Sequence, residues 1–151
     1  MAVAAVFKNV VVVDNKVVGR VSGECIFEHS CAFTNVSAHN GNLVAVADTS
    51  KSVTVFSISC EDDSKPLALE VVKSVRVQKS PTSLCFNGDE CLFISDRFGD
   101  IHRLTLAGGD EHELETIGGS VSTVTAVGVV KGQLVVGDRD EKVRLFSLDG
   151  F

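Results

Sequence analysis

The chain has 151 residues, the size of one domain, and 44% of them are hydrophobic while 23% are charged, as in ordinary soluble globular proteins. The formal net charge of −6 argues against a protein that grips nucleic acid alone, because such binding depends on Lys and Arg neutralising phosphates. The five cysteines form no CxxC pair, so neither a disulfide framework nor a thiol redox motif is indicated.

The composition favours strands, because valine dominates, nine phenylalanines are the only aromatic residues and only two prolines interrupt the chain. The apolar start lacks a basic segment and is interrupted by Lys8, Asn9 and Asp14, so it predicts neither a signal peptide nor a membrane span. We therefore expect an all-β, soluble, intracellular protein without membrane association. Its first predicted elements are a strand pair at residues 10–13 and 17–21.

An internal repeat organises the rest of the chain. Three sixteen-residue segments superimpose without a gap, LVAVADTSKSVTVFSI at 43–58, CLFISDRFGDIHRLTL at 91–106 and QLVVGDRDEKVRLFSL at 133–148. Each segment predicts a β-hairpin, with two alternating strands around a polar turn. The first strand ends at an Asp in every copy, Asp48, Asp96 and Asp138, and this shared position indicates an architectural role for these carboxylates.

Further apolar runs complete each repeat as a four-stranded antiparallel meander of about 40–45 residues, the period of a WD-repeat propeller blade. The runs are 67–72, 81–86, 113–117 and 121–129. The predicted organisation is 1–32 as N-terminal strands, 33–75 as the first blade, 76–117 as the second and 118–151 as an incomplete third. Because closed propellers have about four to eight blades, we expect a partial propeller from an incomplete chain.

Two polar clusters are candidate contact sites. The string DRDEKVR at 138–144 is either a solvated turn or a docking epitope that pairs charges with a partner. Lys73, Arg76 and Lys79 lie three apart with few acids nearby, which suits either an RNA backbone contact or an ordinary solvated surface. Phe98, in the turn of the second hairpin, is either an exposed interface anchor or a tucked side chain.

No catalytic or metal site is predicted. The spacing of Cys25, His29, Cys31 and His39 matches no structural zinc pattern, and cysteines in strands are usually small core residues. The sequence shows no nucleophile with a base, no converging carboxylate pair and no phosphate loop.

The strings DRDEKVRLF at 138–146, ISDRFGDIHRLTL at 94–106, SVRVQKSPTSLCF at 74–86 and ADTSKSVTVFSI at 47–58 resemble the WD-repeat non-catalytic subunit of the tRNA (guanine-N7) methyltransferase. The resemblance implies the first three blades of a seven-bladed propeller. It also implies a nuclear heterodimer with the catalytic subunit, and contact with tRNA through that complex. S-adenosylmethionine would be bound by the catalytic partner, so no cofactor is expected in this chain.

The same resemblance marks the charged turn as the docking site for the methyltransferase. The chain departs from the family pattern where the usual Gly-His is Gly118-Gly119 and where strand-end tryptophans are replaced by Phe56, Leu104 and Phe146. The alternative hypothesis is a WD-repeat interaction scaffold that serves another complex. The expected docking residues are Asp138, Arg139, Asp140, Glu141, Lys142 and Arg144.

Overall fold

The computed structural model describes residues 3–7, 10–13, 16–21, 24–30, 34–40, 42–48, 50–59, 68–108 and 114–149, with side chains from residue 40 onward except at 58–59 and 68–69. Every element in these ranges is a β-strand, which confirms the expected all-β class. The described residues hold no helix long and apolar enough to cross a membrane. The chain divides into two compact units, Met1–Val77 and Gln78–Phe151.

The first unit contains two antiparallel four-stranded meanders. The first sheet consists of β1 (Val3–Phe7), β2 (Val10–Val13), β3 (Lys16–Val21) and β4 (Glu24–Ser30). The second consists of β5 (Thr34–Asn40), β6 (Leu43–Asp48), β7 (Ser52–Ser59) and β8 (Ala68–Arg76). The expected N-terminal strand pair corresponds to β2 and β3, and the structure adds β1 and β4 on either side of it.

The second unit contains a four-stranded and a three-stranded meander, both antiparallel. The third sheet consists of β9 (Pro81–Asn87), β10 (Cys91–Asp96), β11 (Asp100–Thr105) and β12 (Leu114–Gly119). The fourth consists of β13 (Val124–Val130), β14 (Gln133–Asp138) and β15 (Val143–Ser147). The described chain therefore forms four sheets, one more than the three repeats counted from the sequence.

The three predicted hairpins have the same strand register. The second residue of each repeat lies opposite the fourteenth. These cross-strand pairs are Val44 with Phe56, Leu92 with Leu104 and Leu134 with Phe146. Since a shift of one residue would turn every side chain to the other face, the shared register confirms that the hairpins are copies of one unit.

The core of the second unit is apolar and lies between the third and fourth sheets. All six residues of β10 are buried, which explains why this strand is apolar on both faces. Cys91 is part of the core, and burial raises the pKa of its thiol, so it behaves as a small apolar side chain. The buried cluster comprises Cys91, Phe93, Ile101, Val124, Leu134 and Val136, with Ile117, Val127, Val129, Phe146 and Leu148 packed against it.

Replacing Leu134 by Ala is expected to destabilise the protein by about 2–5 kcal/mol, because this fully buried side chain would leave a cavity between the sheets. Leu145→Ala is the matched control, since Leu145 is 62% exposed on the neighbouring strand and its loss should cost less than about 1 kcal/mol. Urea unfolding of the two variants measures the difference. Equal losses of stability would show that this cluster is not the core.

Candidate docking surface at two hairpin turns

One carboxylate organises the turn of each hairpin. Its Oδ1 atom accepts hydrogen bonds from the backbone N–H groups two and four residues later, and these bonds satisfy donors that the tight turn leaves unpaired. The donors are Ser50 and Ser52 for Asp48 (2.9 and 3.1 Å), Phe98 and Asp100 for Asp96 (2.8 and 3.1 Å), and Asp140 and Lys142 for Asp138 (2.9 and 3.1 Å). The architectural role expected for these aspartates is present in all three copies.

The third residue after the Asp has a left-handed backbone in every copy. It is Lys51 (φ 64°) in the first hairpin, Gly99 (φ 97°) in the second and Glu141 (φ 64°) in the third. Only Gly99 is also sterically confined, because an added Cβ would lie 2.1 Å from the carbonyl oxygen of Ser120. The second turn therefore requires glycine, whereas the other two tolerate a side chain at a cost of about 1–2 kcal/mol.

Steric confinement also explains why glycine occupies both residues 118 and 119. A Cβ on Gly119 would lie 2.9 Å from the carbonyl oxygen of Gly99, and a Cβ on Gly118 would lie 3.3 Å from the ring of Phe146. This close packing of backbone against the second turn leaves little room for a histidine at residue 119.

The charged turn of the third hairpin divides the predicted docking residues into two groups. Asp138 is buried and accepts a 2.6 Å hydrogen bond from the Ser120 hydroxyl, and its Oδ2 lies 4.0 Å from Nε of Arg144. Asp138 therefore stabilises the turn from within, whereas Arg144 is half-buried beside it and its Nε has no hydrogen-bond partner among the described groups. The outward-facing group, which we call the third turn, is Arg139, Asp140, Glu141 and Lys142, all exposed.

A short loop, residues 120–123, joins the third turn to the turn of the second hairpin (residues 97–99, the second turn). Ser120 donates its N–H to the carbonyl oxygen of Gly99 (2.7 Å), and the Thr123 hydroxyl donates to that of Arg97 (2.7 Å). On the other side, the N–H of Arg139 donates to the carbonyl oxygen of Thr123 (2.9 Å). The loop therefore fixes both turns on one continuous surface.

Two apolar side chains stand out on this surface. Phe98 in the second turn is 61% exposed and Val121 in the loop is 84% exposed. The sequence left the exposure of Phe98 open, and the structure shows that it faces solvent. The strand predicted at 121–129 begins only at Val124, because the hydrogen bonds of residues 120 and 123 hold this segment as a loop.

Cations surround the exposed phenylalanine. Nζ of Lys79 lies 4.8 Å from the ring centroid of Phe98, and the guanidinium carbon of Arg97 lies 5.7 Å from it, both within cation–π range. Lys79 also forms a 2.7 Å ion pair with Asp100. This pairing raises the pKa of Lys79 and lowers that of Asp100, so the charge of Lys79 is already neutralised locally.

The two other basic residues predicted to face RNA lie on β8 in the first unit. Arg76 is exposed and donates from Nη2 to the carbonyl oxygen of Ser50 (3.0 Å), and Lys73 is half-buried. Arg76 and Lys79 each have an intramolecular partner, which reduces the positive charge that they offer to an RNA backbone. An RNA contact through Lys73, Arg76 and Lys79 stays a prediction.

A polar cluster in the second hairpin is satisfied by protein groups. His102 contacts Oδ2 of Asp96 through Nε2 (3.1 Å) and the Thr116 hydroxyl through Nδ1 (2.9 Å). Asp96, Asp100 and His102 have ligand atoms within 4.8 Å of one another, a donor set that suits a cation. Each already has a protein partner, however, and His102 takes the place that Arg144 has in the third hairpin, six residues after the Asp.

Four residues were compared with zinc-binding patterns in the sequence. Of these, Cys31 and the side chains of Cys25, His29 and His39 lie outside the described residues.

The cavities described in the second unit hold no catalytic constellation. One of about 260 Å³ is apolar and lined mainly by Ile101, Ile117 and Leu134 together with the end of β15. Another, of about 240 Å³, contains Glu90, Cys91 and Arg103. Neither combines an activated nucleophile with a histidine base, since burial raises the pKa of the Cys91 thiol.

The pKa of Asp138 should report the integrity of the third turn. The Ser120 hydroxyl and the N–H groups of Lys142 and Asp140 hold this pKa below its ordinary value. Asp138 therefore stabilises the fold above its unfolded pKa of about 3.9, and this contribution is lost as the pH falls through the lower folded value. Ser120→Ala is expected to raise the pKa in an NMR titration and to reduce stability at neutral pH.

Ser122→Ala is the matched control for this titration, because the buried Ser122 hydroxyl has no hydrogen-bond partner among the described groups. An unchanged Asp138 pKa in the Ser120 variant would contradict the assignment.

A second prediction separates steric confinement from backbone preference. Gly88→Ala, at φ 55° with open space around it, should cost about 1–2 kcal/mol. Gly99→Ala should cost about 1–3 kcal/mol more, because backbone atoms of the loop must move. Urea unfolding of both variants compares the two losses, and similar values would mean that the loop does not press on the second turn.

The chain was compared with protein-family models and with individual known proteins. No model of a known protein family matches the chain. The tRNA (guanine-N(7)-)-methyltransferase non-catalytic subunit of Caenorhabditis elegans is 32% identical over 117 residues, covering 75% of this chain and 29% of the relative. The subunit TRM82 of Candida glabrata is 29% identical over 123 residues, covering 73% and 28%. The chain thus spans less than a third of the length of these relatives.

Solved structures show the same fold at low identity. The β-propeller domain of Cps50 (Swd1) from Myceliophteria_thermophila has a TM-score of 0.71 at 12% identity, over 93% of this chain and 47% of that one. The WD40 β-propeller domain of Doa1 has a TM-score of 0.59 at 18% identity, over 76% and 37%. The fold class is therefore that of a WD-repeat β-propeller.

Proposed function

We propose that this chain, a relative of the non-catalytic subunits of tRNA (guanine-N(7)-)-methyltransferase, is itself a non-catalytic accessory component that binds the catalytic subunit and supports it on tRNA. The observation that carries this proposal is the third turn, where four charged side chains face solvent from a backbone fixed by Asp138. In this proposal the docking contacts are made by Arg139, Asp140, Glu141 and Lys142. Asp138 acts indirectly by holding the turn, and Arg144 lies beside it.

The charge pattern of the third turn suits a protein partner. Two basic side chains flank two acidic ones over the four positions, so the turn has no net charge with which to attract a polyanion. Such a mixed set confers specificity by pairing with opposite charges and repelling wrong partners. A fixed backbone reduces the entropy lost when these side chains are ordered on binding.

The chemical step belongs to the partner in this proposal. The described cavities offer no nucleophile with a base, and the relatives are named non-catalytic subunits. The catalytic subunit would bind S-adenosylmethionine and form 7-methylguanosine in tRNA. The heterodimer would act in the nucleus, and tRNA would meet this chain through the complex.

A charge exchange tests the docking site. The variant Asp140→Lys, Lys142→Glu keeps the net charge and changes only exposed positions, and it should weaken binding to the catalytic methyltransferase subunit about tenfold or more by reversing the charge at two of the four positions. Arg144 is left intact, since a carboxylate there would disturb the buried Asp138. Isothermal titration calorimetry with the purified catalytic subunit gives the dissociation constants.

The matched control exchanges charges at the opposite end of the strands, in the turns after β9 and β13. Asp89→Lys, Lys131→Glu also changes exposed residues without changing net charge, and it should bind like the unmodified chain. Equal affinities for all three proteins would refute the docking site. If the unmodified chain does not bind the methyltransferase but retrieves other proteins from an extract, the scaffold hypothesis replaces this proposal.

A further inference from the structure

The surface that contains the third turn extends well beyond it. The loop 120–123 is hydrogen-bonded to the second turn through Ser120 and Thr123. Thr123 also binds Arg139 of the third turn, and Ser120 binds Asp138, which precedes that turn. Residues 97–99, 120–123 and 139–142 therefore form one fixed surface in the second unit, which we call the composite surface.

We propose that Phe98 and Val121 are the apolar anchors of this composite surface, and that they insert into an apolar pocket flanked by acidic side chains on the catalytic methyltransferase subunit. The inference rests on the proposed function and adds a second contact region to it. Its partner chemistry follows from the side chains that the composite surface exposes.

The two apolar side chains have the properties of interface anchors. They are 61% and 84% exposed, whereas Arg97 and the residues of the third turn are charged. Aromatic side chains are enriched in the desolvated centres of protein interfaces, with a polar rim around them. Here the exposed charges of Arg97 and the third turn would form such a rim.

Phe98 is also held in place before any partner arrives. Its backbone N–H donates to Asp96 (2.8 Å), and Lys79 and Arg97 lie against its ring. Because an anchor that is already ordered loses little conformational entropy on binding, this environment favours recognition through Phe98.

The cations of the composite surface indicate acidic side chains around the partner's pocket. Arg97 and Arg139 directly follow the aspartate of their hairpins, so they are equivalent positions of the repeat, and both are exposed. The loop that carries Val121 is bonded to both residues. An arginine fork pairs with a carboxylate in a well-defined geometry.

A nucleic-acid partner fits the composite surface less well. Phosphate binding requires uncompensated positive charge, yet Asp100, Asp140 and Glu141 accompany the cations, and Lys79 is already paired with Asp100. A protein surface therefore suits these groups better than RNA.

Binding assays with the unmodified chain, the purified catalytic subunit and a tRNA transcript test the proposal. The variant Phe98→Ser, Val121→Ser should bind the catalytic subunit at least about tenfold more weakly, since a few anchor side chains carry most of the binding energy of an interface. Val130→Ser is the matched control, because Val130 is 55% exposed at the other end of β13, and it should bind normally. Circular dichroism and urea unfolding verify that the variants are folded.

The outcomes separate this inference from the proposed function. If the Phe98, Val121 variant binds normally while the Asp140, Lys142 exchange weakens binding, docking stands and the apolar anchors are refuted. If the unmodified chain does not bind the catalytic subunit, both proposals fail. A loss of tRNA affinity with unchanged subunit binding would overturn the protein contact in favour of RNA.

Discussion

The structure depends on a carboxylate that is withdrawn from solvent and satisfied by its own turn. The side chains of Asp48, Asp96 and Asp138 are buried, and a charge in that position is tolerable because hydrogen bonds satisfy it. In each copy two of these bonds come from backbone N–H groups of the turn, and a side chain adds another, from Ser50, His102 and Ser120 respectively. The bonds close each hairpin with a left-handed third residue and keep the two strands in register. Since the two donors that recur in every copy are backbone groups, the positions that supply them can carry different side chains.

Because backbone bonds fix the turn while its side chains vary, the same turn conformation can present different surfaces. In the second hairpin the positions after the aspartate are Arg97, Phe98 and Gly99, and in the third they are Arg139, Asp140 and Glu141. The same backbone conformation therefore displays an aromatic side chain in one copy and a mixed charge cluster in the other. Repetition supplies the fold, and variation at a few exposed positions supplies the chemistry on which binding depends.

The repeat made much of the fold predictable. Identical spacing of the aspartates and of Phe56, Leu104 and Phe146 determined three hairpins and their register, because strand alternation leaves only one register that buries the apolar set. The N-terminal sheet was harder to predict, since its flanking strands β1 and β4 lack the aspartate signature. Local pattern there identified only β2 and β3, where valines are densest.

The candidate site was only partly visible in the sequence. Charge composition drew attention to residues 138–144, but it does not distinguish a buried, hydrogen-bonded Asp138 from an exposed Asp140. Val121 belongs by composition to the following strand, and only the bonds of Ser120 and Thr123 to neighbouring turns remove it from that strand. These distinctions arise from contacts between residues about twenty positions apart in the sequence, and local periodicity does not encode such contacts.

The loop that ties the second turn to the third has a consequence for coupling between them. With Thr123 bonded to both Arg97 and Arg139, a displacement of one turn strains hydrogen bonds held by the other. The two turns should therefore fluctuate together, and a molecule that immobilises one of them has already restricted the motion of its neighbour. Cooperativity between adjacent repeats can thus arise from a four-residue connection, without any change of shape.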